Sequence, residues 1–134
     1  MVGFPEEEES NFKNTQVMVK EISPAKVHIF PYSIRKGTQA ANLTSQIDPR
    51  AVKERLFRLE RLSQDCAFIY QKKFLGTVME VLIEGLHKEG RSYWQGHTDN
   101  YIKVLARSKK DLKGKFVPVK LKKIIRDCVL ADFC

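Results

Sequence analysis

Apolar residues in the first half of the chain recur at steps of three and four, which is the period of one face of a helix. A first helix is predicted from the positions of Phe12, Thr15, Val19 and Ile22. It ends before Pro24, and Glu6 to Glu9 are placed in its first turn, where the helix macrodipole favours negative charge. The pattern therefore predicts a helix that starts soon after Pro5.

The segment Val27-His28-Ile29-Phe30 is apolar apart from its histidine. Such a run is typical of a strand buried on both faces of a parallel sheet, and it predicts that His28 faces the core. Residues 2–5 are interpreted as the end of another strand. This strand end, the first helix and the strand at residues 27–30 together make one βαβ unit. One such unit leaves both strand edges unpaired, and we expect it to be part of a larger sheet.

A second helix is predicted to begin at Asp48-Pro49, with Asp48 as the N-cap and Pro49 at the first helical position. A helical stripe continues to about residue 72 through Val52, Leu56, Leu59, Cys66 and Tyr70. The other faces of this helix carry Arg50, Lys53, Arg55, Arg58 and Arg61. This basic surface is either a solvated helix face or a contact surface for nucleic acid.

From Phe74 onward the apolar residues alternate with polar ones in short runs separated by turns. The runs cover residues 76–86, 92–97, 101–105, 115–125 and 129–133. Four or five short strands of this kind predict a small antiparallel β-barrel. The expected fold class is therefore α+β, with a βαβ part at residues 1–47, a linker helix at 48–73 and a barrel at 74–134.

The basic character of the chain is concentrated in the barrel segment. The whole chain has a formal net charge of +8, and residues 74–134 carry twelve Lys/Arg against seven Asp/Glu, a net +5. Such an excess favours an anionic partner such as nucleic acid. The candidate phosphate contacts, which alternate with or adjoin core positions, are Lys103, Lys115, Lys120, Lys122 and Lys123. Four of them, all but Lys123, are predicted to share one solvent face.

Three aromatic residues of the same segment lie near a predicted turn, namely Tyr93, Trp94 and Tyr101. Exposed aromatic rings can stack on unpaired bases, so these residues are candidates for RNA binding. The alternative is that Trp94 and Tyr101 fill the barrel interior and that the lysines only protect sheet edges from association.

The sequence contains no pattern expected of a metal site. Cys66, Cys128 and Cys134 form no CxxC spacing, and His28, His87 and His97 have no HxH or HxxxH relation. An odd number of cysteines and an acidic N-terminus without a secretion signal lead us to expect a cytoplasmic protein. No apolar run approaches the roughly 20 residues that span a membrane.

Four segments, in this order and at these distances, carry a resemblance to a known family. VGFPEEEESNF, HIFPYSIRKGTQAA, DPRAVKERLFRL and QGHTDNYIKV closely resemble the C-terminal part of radical-SAM tRNA methylthiotransferases. TDNYIKV is most similar to the branch that acts on threonylcarbamoyladenosine beside the anticodon. The resemblance covers essentially the whole chain.

The resemblance implies a role for each part. Residues 1–33 would be the end of a partial barrel that holds S-adenosylmethionine and a [4Fe–4S] cluster. The cofactor-binding positions would be Gly3, Phe4, Pro5, Tyr32 and Ser33. Residues 74–134 would be a TRAM domain, an OB-like barrel that binds tRNA. At the position of Glu6 the family usually has glycine, which lets the backbone approach the cofactor.

In the family the three cysteines of the radical-SAM cluster, and a domain with a second [4Fe–4S] cluster, lie upstream of the region matched here. The resemblance therefore implies a tRNA-binding C-terminal fragment with no complete active site and no cofactor of its own. Its parent enzyme would add a methylthio group to the modified adenosine. The alternatives are an enzyme completed by a partner chain, such as the missing N-terminal part, and a structural remnant or interaction module without RNA affinity.

Overall fold

The computed structural model describes residues 1–43, 45–87 and 92–134, and places two helices and a 3-10 turn before five strands. The elements are α1 (Glu9–Ile22), a 3-10 helix (Gln39–Asn42), α2 (Pro49–Lys72), β1 (Val78–Leu86), β2 (Tyr93–Thr98), β3 (Lys103–Arg107), β4 (Phe116–Ile125) and β5 (Cys128–Phe133). The chain forms two compact units, residues 1–66 and 67–134, whose boundary falls within α2. No helix in the described ranges has the length and apolar character needed to cross a membrane.

Helix α1 begins later than the run of glutamates suggested. Glu8 caps the helix, and its backbone N–H donates to Asn11 Oδ1 at 2.9 Å. Glu6 and Glu7 precede the helix, so their assignment to its first turn was wrong. The carboxylate of Glu7 instead accepts a hydrogen bond from the Gly3 backbone N–H at 2.8 Å. The helix ends as predicted before Pro24, with Ser23 in the left-handed region at φ 46°.

The two segments that flank α1 meet at a single parallel bridge between Val2 and Pro31. The Val2 N–H donates to Phe30 O at 2.9 Å, and the Tyr32 N–H donates to Val2 O at 2.7 Å. The parallel pairing expected of a βαβ connection is therefore present, but only at this bridge. The core of this unit is formed by Val2, Phe12 and Leu59, with Val19, Ile29, Val52, Leu56 and Leu62 packed against them.

The predicted strand Val27–Phe30 is not formed, and its expected burial on both faces was wrong. The Val27 N–H donates to Ser63 Oγ of α2 at 3.3 Å rather than to a neighbouring strand. Phe30 is 63% exposed, and His28 is exposed with its ring parallel to that of Phe30. The segment runs along a helix on one side only, which leaves alternate side chains, including His28, facing solvent.

Helix α2 begins where the sequence predicted, because Asp48 Oδ1 accepts a hydrogen bond from the Arg50 N–H at 2.8 Å. Two of its arginines are not part of a free basic surface. The guanidinium groups of Arg55 and Arg58 lie over the Phe12 ring, at 5.3 and 4.7 Å from its centroid. Their ion-pair partners, Glu7 and Glu9, precede or begin α1, so both arginines fasten α1 to α2.

The second unit is a closed barrel with strand order β1-β2-β3-β5-β4. All neighbours are antiparallel except β3 and β5, which are parallel, so the expectation of a wholly antiparallel barrel was wrong. The reason is geometric. Strand directions cannot alternate all the way round a closed ring of five, so one pair must run in the same direction.

Period-two alternation fills the barrel interior with side chains of moderate size. The buried core comprises Val81, Ile83, Trp94, Ile102, Val104, Ala106, Val119, Leu121, Val129 and Ala131. Gly96 pairs with Ile83, and its missing side chain makes room for the β1 backbone at Leu82. From the end of α2, Tyr70 packs against this core, as do Phe74 and Leu75 just beyond the helix.

Candidate nucleic-acid interface

Strand β4 carries three lysines on the outside of the barrel because a β-bulge interrupts its alternation. Leu121 pairs with Ala131 and Lys123 with Leu130, so Lys122 is the extra residue of the bulge. A bulge re-aims the side chains around it, and both Lys122 and Lys123 are exposed, as is Lys120 before them. We call Lys120, Lys122 and Lys123 the β4 lysine cluster.

Two of the candidate cations have acidic partners. Lys122 Nζ lies 3.3 Å from Asp132 Oδ2, and Lys103 Nζ lies 3.0 Å from Asp127 Oδ2. The hydrogen bond from Lys103 holds the pKa of Asp127 below its usual range, so that carboxylate stays charged beside the lysine. Within the residues that the structure describes, Lys115, Lys120 and Lys123 form no ion pair. Their charges are therefore the freer ones of the set.

The structure does not bring Lys103, Lys115, Lys120 and Lys122 onto one face, as the sequence had suggested. Lys103 is on β3, and β5 separates that strand from β4 in the barrel. Lys115 precedes β4 in the connection from β3. Only Lys120 and Lys122 of the four share a strand surface, to which Lys123 is added by the bulge.

A second basic surface, of which the sequence analysis had identified only Lys115, joins β3 to β4. We call residues 107–115 the basic connection; its exposed cations are Arg107, Lys109, Lys110, Lys113 and Lys115. Asp111 is its only acidic residue. Leu112 packs against the barrel core, and the Gly114 N–H donates to Ile83 O at 2.7 Å, so the connection is anchored to β1. The signal that could have identified it is the density of cations between two strands.

The aromatic candidates have different environments. Trp94 is only 8% exposed and belongs to the core, and its Nε1–H donates to Ser108 O at 3.3 Å. This is the alternative in which Trp94 fills the barrel. Tyr93 is partly exposed, whereas Tyr101 is 82% exposed. Phe116, in the predicted run of residues 115–125, is 64% exposed on the outside of the barrel.

The exposed aromatic residues lie along a groove on the outer surface of β1 and its neighbours. Leu82 pairs with Phe116 on β4 and with His97 on β2. The groove has a volume of about 570 Å³. Its lining, which we call the β1 groove, comprises Val78, Met79, Glu80, Leu82, Glu84, His97, Thr98, Asp99, Tyr101 and Phe116.

The five cofactor candidates are brought together at the Val2–Pro31 bridge. The rings of Phe4 and Tyr32 meet edge to face, with centroids 5.3 Å apart. Gly3 and Pro5 are buried, and Ser33 is exposed. The Tyr32 hydroxyl is buried without a hydrogen-bond partner in the described part of the chain. This surface offers an aromatic pair and backbone groups, against which an adenosine could pack.

The same surface offers no ligands for an iron–sulfur cluster. Over residues 1–43, 45–87 and 92–134, no three His, Cys, Asp or Glu side chains are grouped so that they could hold a metal ion. Cys66 and Cys128 are buried, and Cys134 is exposed. Burial raises the pKa of the Cys128 thiol, which disfavours the thiolate form that binds metals.

Comparison with known proteins agrees with this architecture. Residues 72–133 match the TRAM domain family. The chain is 40% identical over 121 residues to tRNA-2-methylthio-N(6)-dimethylallyladenosine synthase of Fusobacterium nucleatum, covering 90% of the chain and 28% of that protein. It is 39% identical over 125 residues to threonylcarbamoyladenosine tRNA methylthiotransferase MtaB of Bacillus subtilis, covering 92% of the chain and again 28% of the relative.

The chain thus spans little more than a quarter of the length of these relatives. The names of the two relatives give different substrates, but the identities are nearly equal, so similarity alone does not separate the two branches. The five-stranded barrel matches the TRAM domain, and the chain as a whole is similar to part of the tRNA methylthiotransferases.

Proposed function

We propose that the barrel binds tRNA and that the chain acts as the tRNA-binding C-terminal part of a methylthiotransferase. The observation that carries this proposal is the outward display of Lys120 and Lys123, which have no acidic partner among the described residues, on a barrel that matches the TRAM domain. The basic connection adds five exposed cations beside β4. Cations on a rigid barrel are suited to neutralise successive phosphates of an RNA backbone.

The finer assignment follows from the resemblance. The motif TDNYIKV favours threonylcarbamoyladenosine as the modified base of the parent enzyme, which would add a methylthio group by radical chemistry. The parent reaction needs S-adenosylmethionine and two [4Fe–4S] clusters. Of these groups, this chain would contact only S-adenosylmethionine, through the surface of Phe4 and Tyr32. The clusters would be held by the N-terminal part of the enzyme, in the cytoplasm.

Binding to tRNA should depend steeply on salt, because each phosphate neutralised by a lysine releases condensed counterions. The test measures the tRNA affinity of this chain at several salt concentrations, for the unsubstituted sequence and for Lys120→Ala/Lys123→Ala. We expect the double variant to bind more weakly and to reduce the salt slope by about two. A matched control is Lys20→Ala/Lys26→Ala, which removes two exposed lysines outside the barrel.

Equal effects of the two double variants would show that the β4 lysine cluster is not the phosphate-binding surface. Absence of salt-dependent tRNA binding by the unsubstituted chain would overturn the proposal as a whole. That result would favour a structural or interaction module without RNA affinity.

A further inference from the structure

We propose that the β1 groove binds one unpaired RNA base, packed against Phe116 and Tyr101, and that it favours a base with an exocyclic amino group. This inference rests on the proposed RNA binding and adds a site to it. The volume of about 570 Å³ lies within the roughly 300–1,000 Å³ range of small-ligand sites. Stacking platforms for single-stranded nucleic acid are built from exposed aromatic rings beside a basic surface.

Phe116 lines the groove from the outside of the barrel. Its ring is 64% exposed at the start of β4, directly after Lys115 and opposite Leu82. A large apolar ring at an outward strand position has no role in the barrel core. Because the Lys115 O atom accepts a hydrogen bond from Ile83 N–H at 2.9 Å, the backbone at this point is fixed to β1. The backbone that carries the ring is therefore held in place at one side of the groove.

Tyr101, which also lines the groove, has an unfavourable backbone conformation. This residue has φ 62°, in the left-handed region that favours glycine or asparagine, yet it carries a tyrosine that is 82% exposed. The turn is held by Thr98, whose backbone oxygen accepts from the Tyr101 N–H at 3.0 Å and whose hydroxyl accepts from the Ile102 N–H at 2.9 Å. An unfavourable conformation that displays an aromatic ring in solvent indicates a functional use of that ring.

The groove is lined by acidic side chains and by no lysine or arginine of the described residues. Three carboxylates line it, those of Glu80, Glu84 and Asp99, and Glu84 Oε1 lies 2.8 Å from His97 Nδ1. Negative charge disfavours a phosphate inside the groove but can accept hydrogen bonds from the amino group of a base. Cations stand just outside, since Lys115 precedes Phe116 and Lys120 pairs with Val78. This arrangement suits a base in the groove and its phosphates at the edges.

Fluorescence of a short single-stranded RNA with one 2-aminopurine provides the test. We expect binding of the whole chain to quench the fluorescence of this base. Phe116→Leu should reduce the quenching and should weaken the affinity roughly fivefold or more. The dependence of the affinity on salt should stay unchanged, because no phosphate contact is lost. Phe57→Leu is a matched control, because Phe57 is 58% exposed on α2. Tyr101→Asn should weaken binding similarly while suiting the left-handed backbone, so loss of folding does not obscure its effect.

Preference for an amino-bearing base is tested with two RNAs that differ only by cytidine or uridine at the central position. The unsubstituted chain should bind the cytidine RNA more tightly than the uridine RNA, and Glu80→Gln should reduce that preference. The groove is not a base site if the β4 lysine variants weaken RNA binding but Phe116→Leu and Tyr101→Asn bind RNA as tightly as the unsubstituted chain does. If the unsubstituted chain binds no RNA at low salt, the proposed function itself fails.

Discussion

Lys122 Nζ lies 3.3 Å from Asp132 Oδ2 on the neighbouring strand, so one cation of the β4 lysine cluster already has an anionic partner. Asp132→Asn should therefore strengthen tRNA binding by about two- to fivefold at low salt, because it frees Lys122 and removes a charge that repels phosphate. Affinity measured at low and high salt checks this, since the gain should shrink as salt screens the charges.

Lys122→Ala should in turn weaken binding less than Lys120→Ala, which removes a lysine without an ion-pair partner in the described ranges. The two variants have the same chemistry on the same strand, so each controls for the other. Equal losses, together with no gain from Asp132→Asn, would show that the ion pair is too weak in solution to influence RNA binding.

Gly85 of β1 and Gly96 of β2 are a matched pair of glycines, because their strands are paired. A β-carbon at Gly96 would overlap the Leu82 carbonyl oxygen, whereas one at Gly85 meets no atom within 4 Å. We expect Gly96→Ala to destabilise the barrel by about 3 kcal/mol, because backbone atoms would have to move. Gly85→Ala should change the free energy of unfolding by less than about 0.5 kcal/mol.

The measurement is denaturant unfolding followed by Trp94 fluorescence. Trp94 is the only tryptophan of the chain and lies in the barrel core, so its signal reports this unit. Similar midpoints for the two variants would show that the β1–β2 pairing opens easily enough to accept a side chain at Gly96.

Sequence periodicity predicted the fold well wherever local patterns decide it. The start of α2 at Pro49, the end of α1 before Pro24 and five strands close to the predicted runs all follow from period, caps and turns. The parallel β3–β5 pairing could not be read from alternation, because alternation is the same in both directions. The segment with His28 was misassigned because an apolar run does not reveal how many neighbours will cover it.

The candidate site was less predictable, because its positions depend on register. Lys122 and Lys123 are adjacent in sequence, and only the bulge at Lys122 turns both outward. Phe116 and Trp94 look alike in an alternating pattern, but one lies outside the barrel and the other inside. A long-range pairing decides each case, and no local pattern encodes it.

Glu6 has φ 67°, a left-handed conformation that is unfavourable for residues with a β-carbon. Glu6→Gly should therefore stabilise the first unit by about 0.5–1 kcal/mol, since the strain in the folded state exceeds the added freedom of glycine in the unfolded chain. Hydrogen exchange of the α1 amides measures the effect. Glu6→Ala is the control, because it removes the charge but keeps the β-carbon, and it should give no gain. A gain from alanine equal to that from glycine would assign the effect to charge.

Arg55 of α2 and Glu7 form an ion pair within the first unit. Both side chains are largely buried, and Arg55 Nη1 donates to Glu7 Oε2 and to Glu7 O, each at 2.8 Å. Arg55→Met should destabilise the first unit by about 3 kcal/mol, because it leaves the Glu7 carboxylate buried without its cation. Hydrogen exchange of the α1 and α2 amides would measure the loss.

Arg61→Met is the matched control for Arg55→Met, since Arg61 is exposed on the same helix with its guanidinium 5.9 Å from the Phe57 ring centroid. It should change the stability by less than about 0.5 kcal/mol. Adding Glu7→Gln to Arg55→Met should restore part of the loss, because the neutral amide costs less to bury than an unpaired carboxylate. Equal effects of Arg55→Met and Arg61→Met would mean that Arg55 belongs to the solvated basic face of α2 after all, and would make that face a candidate for RNA contact again.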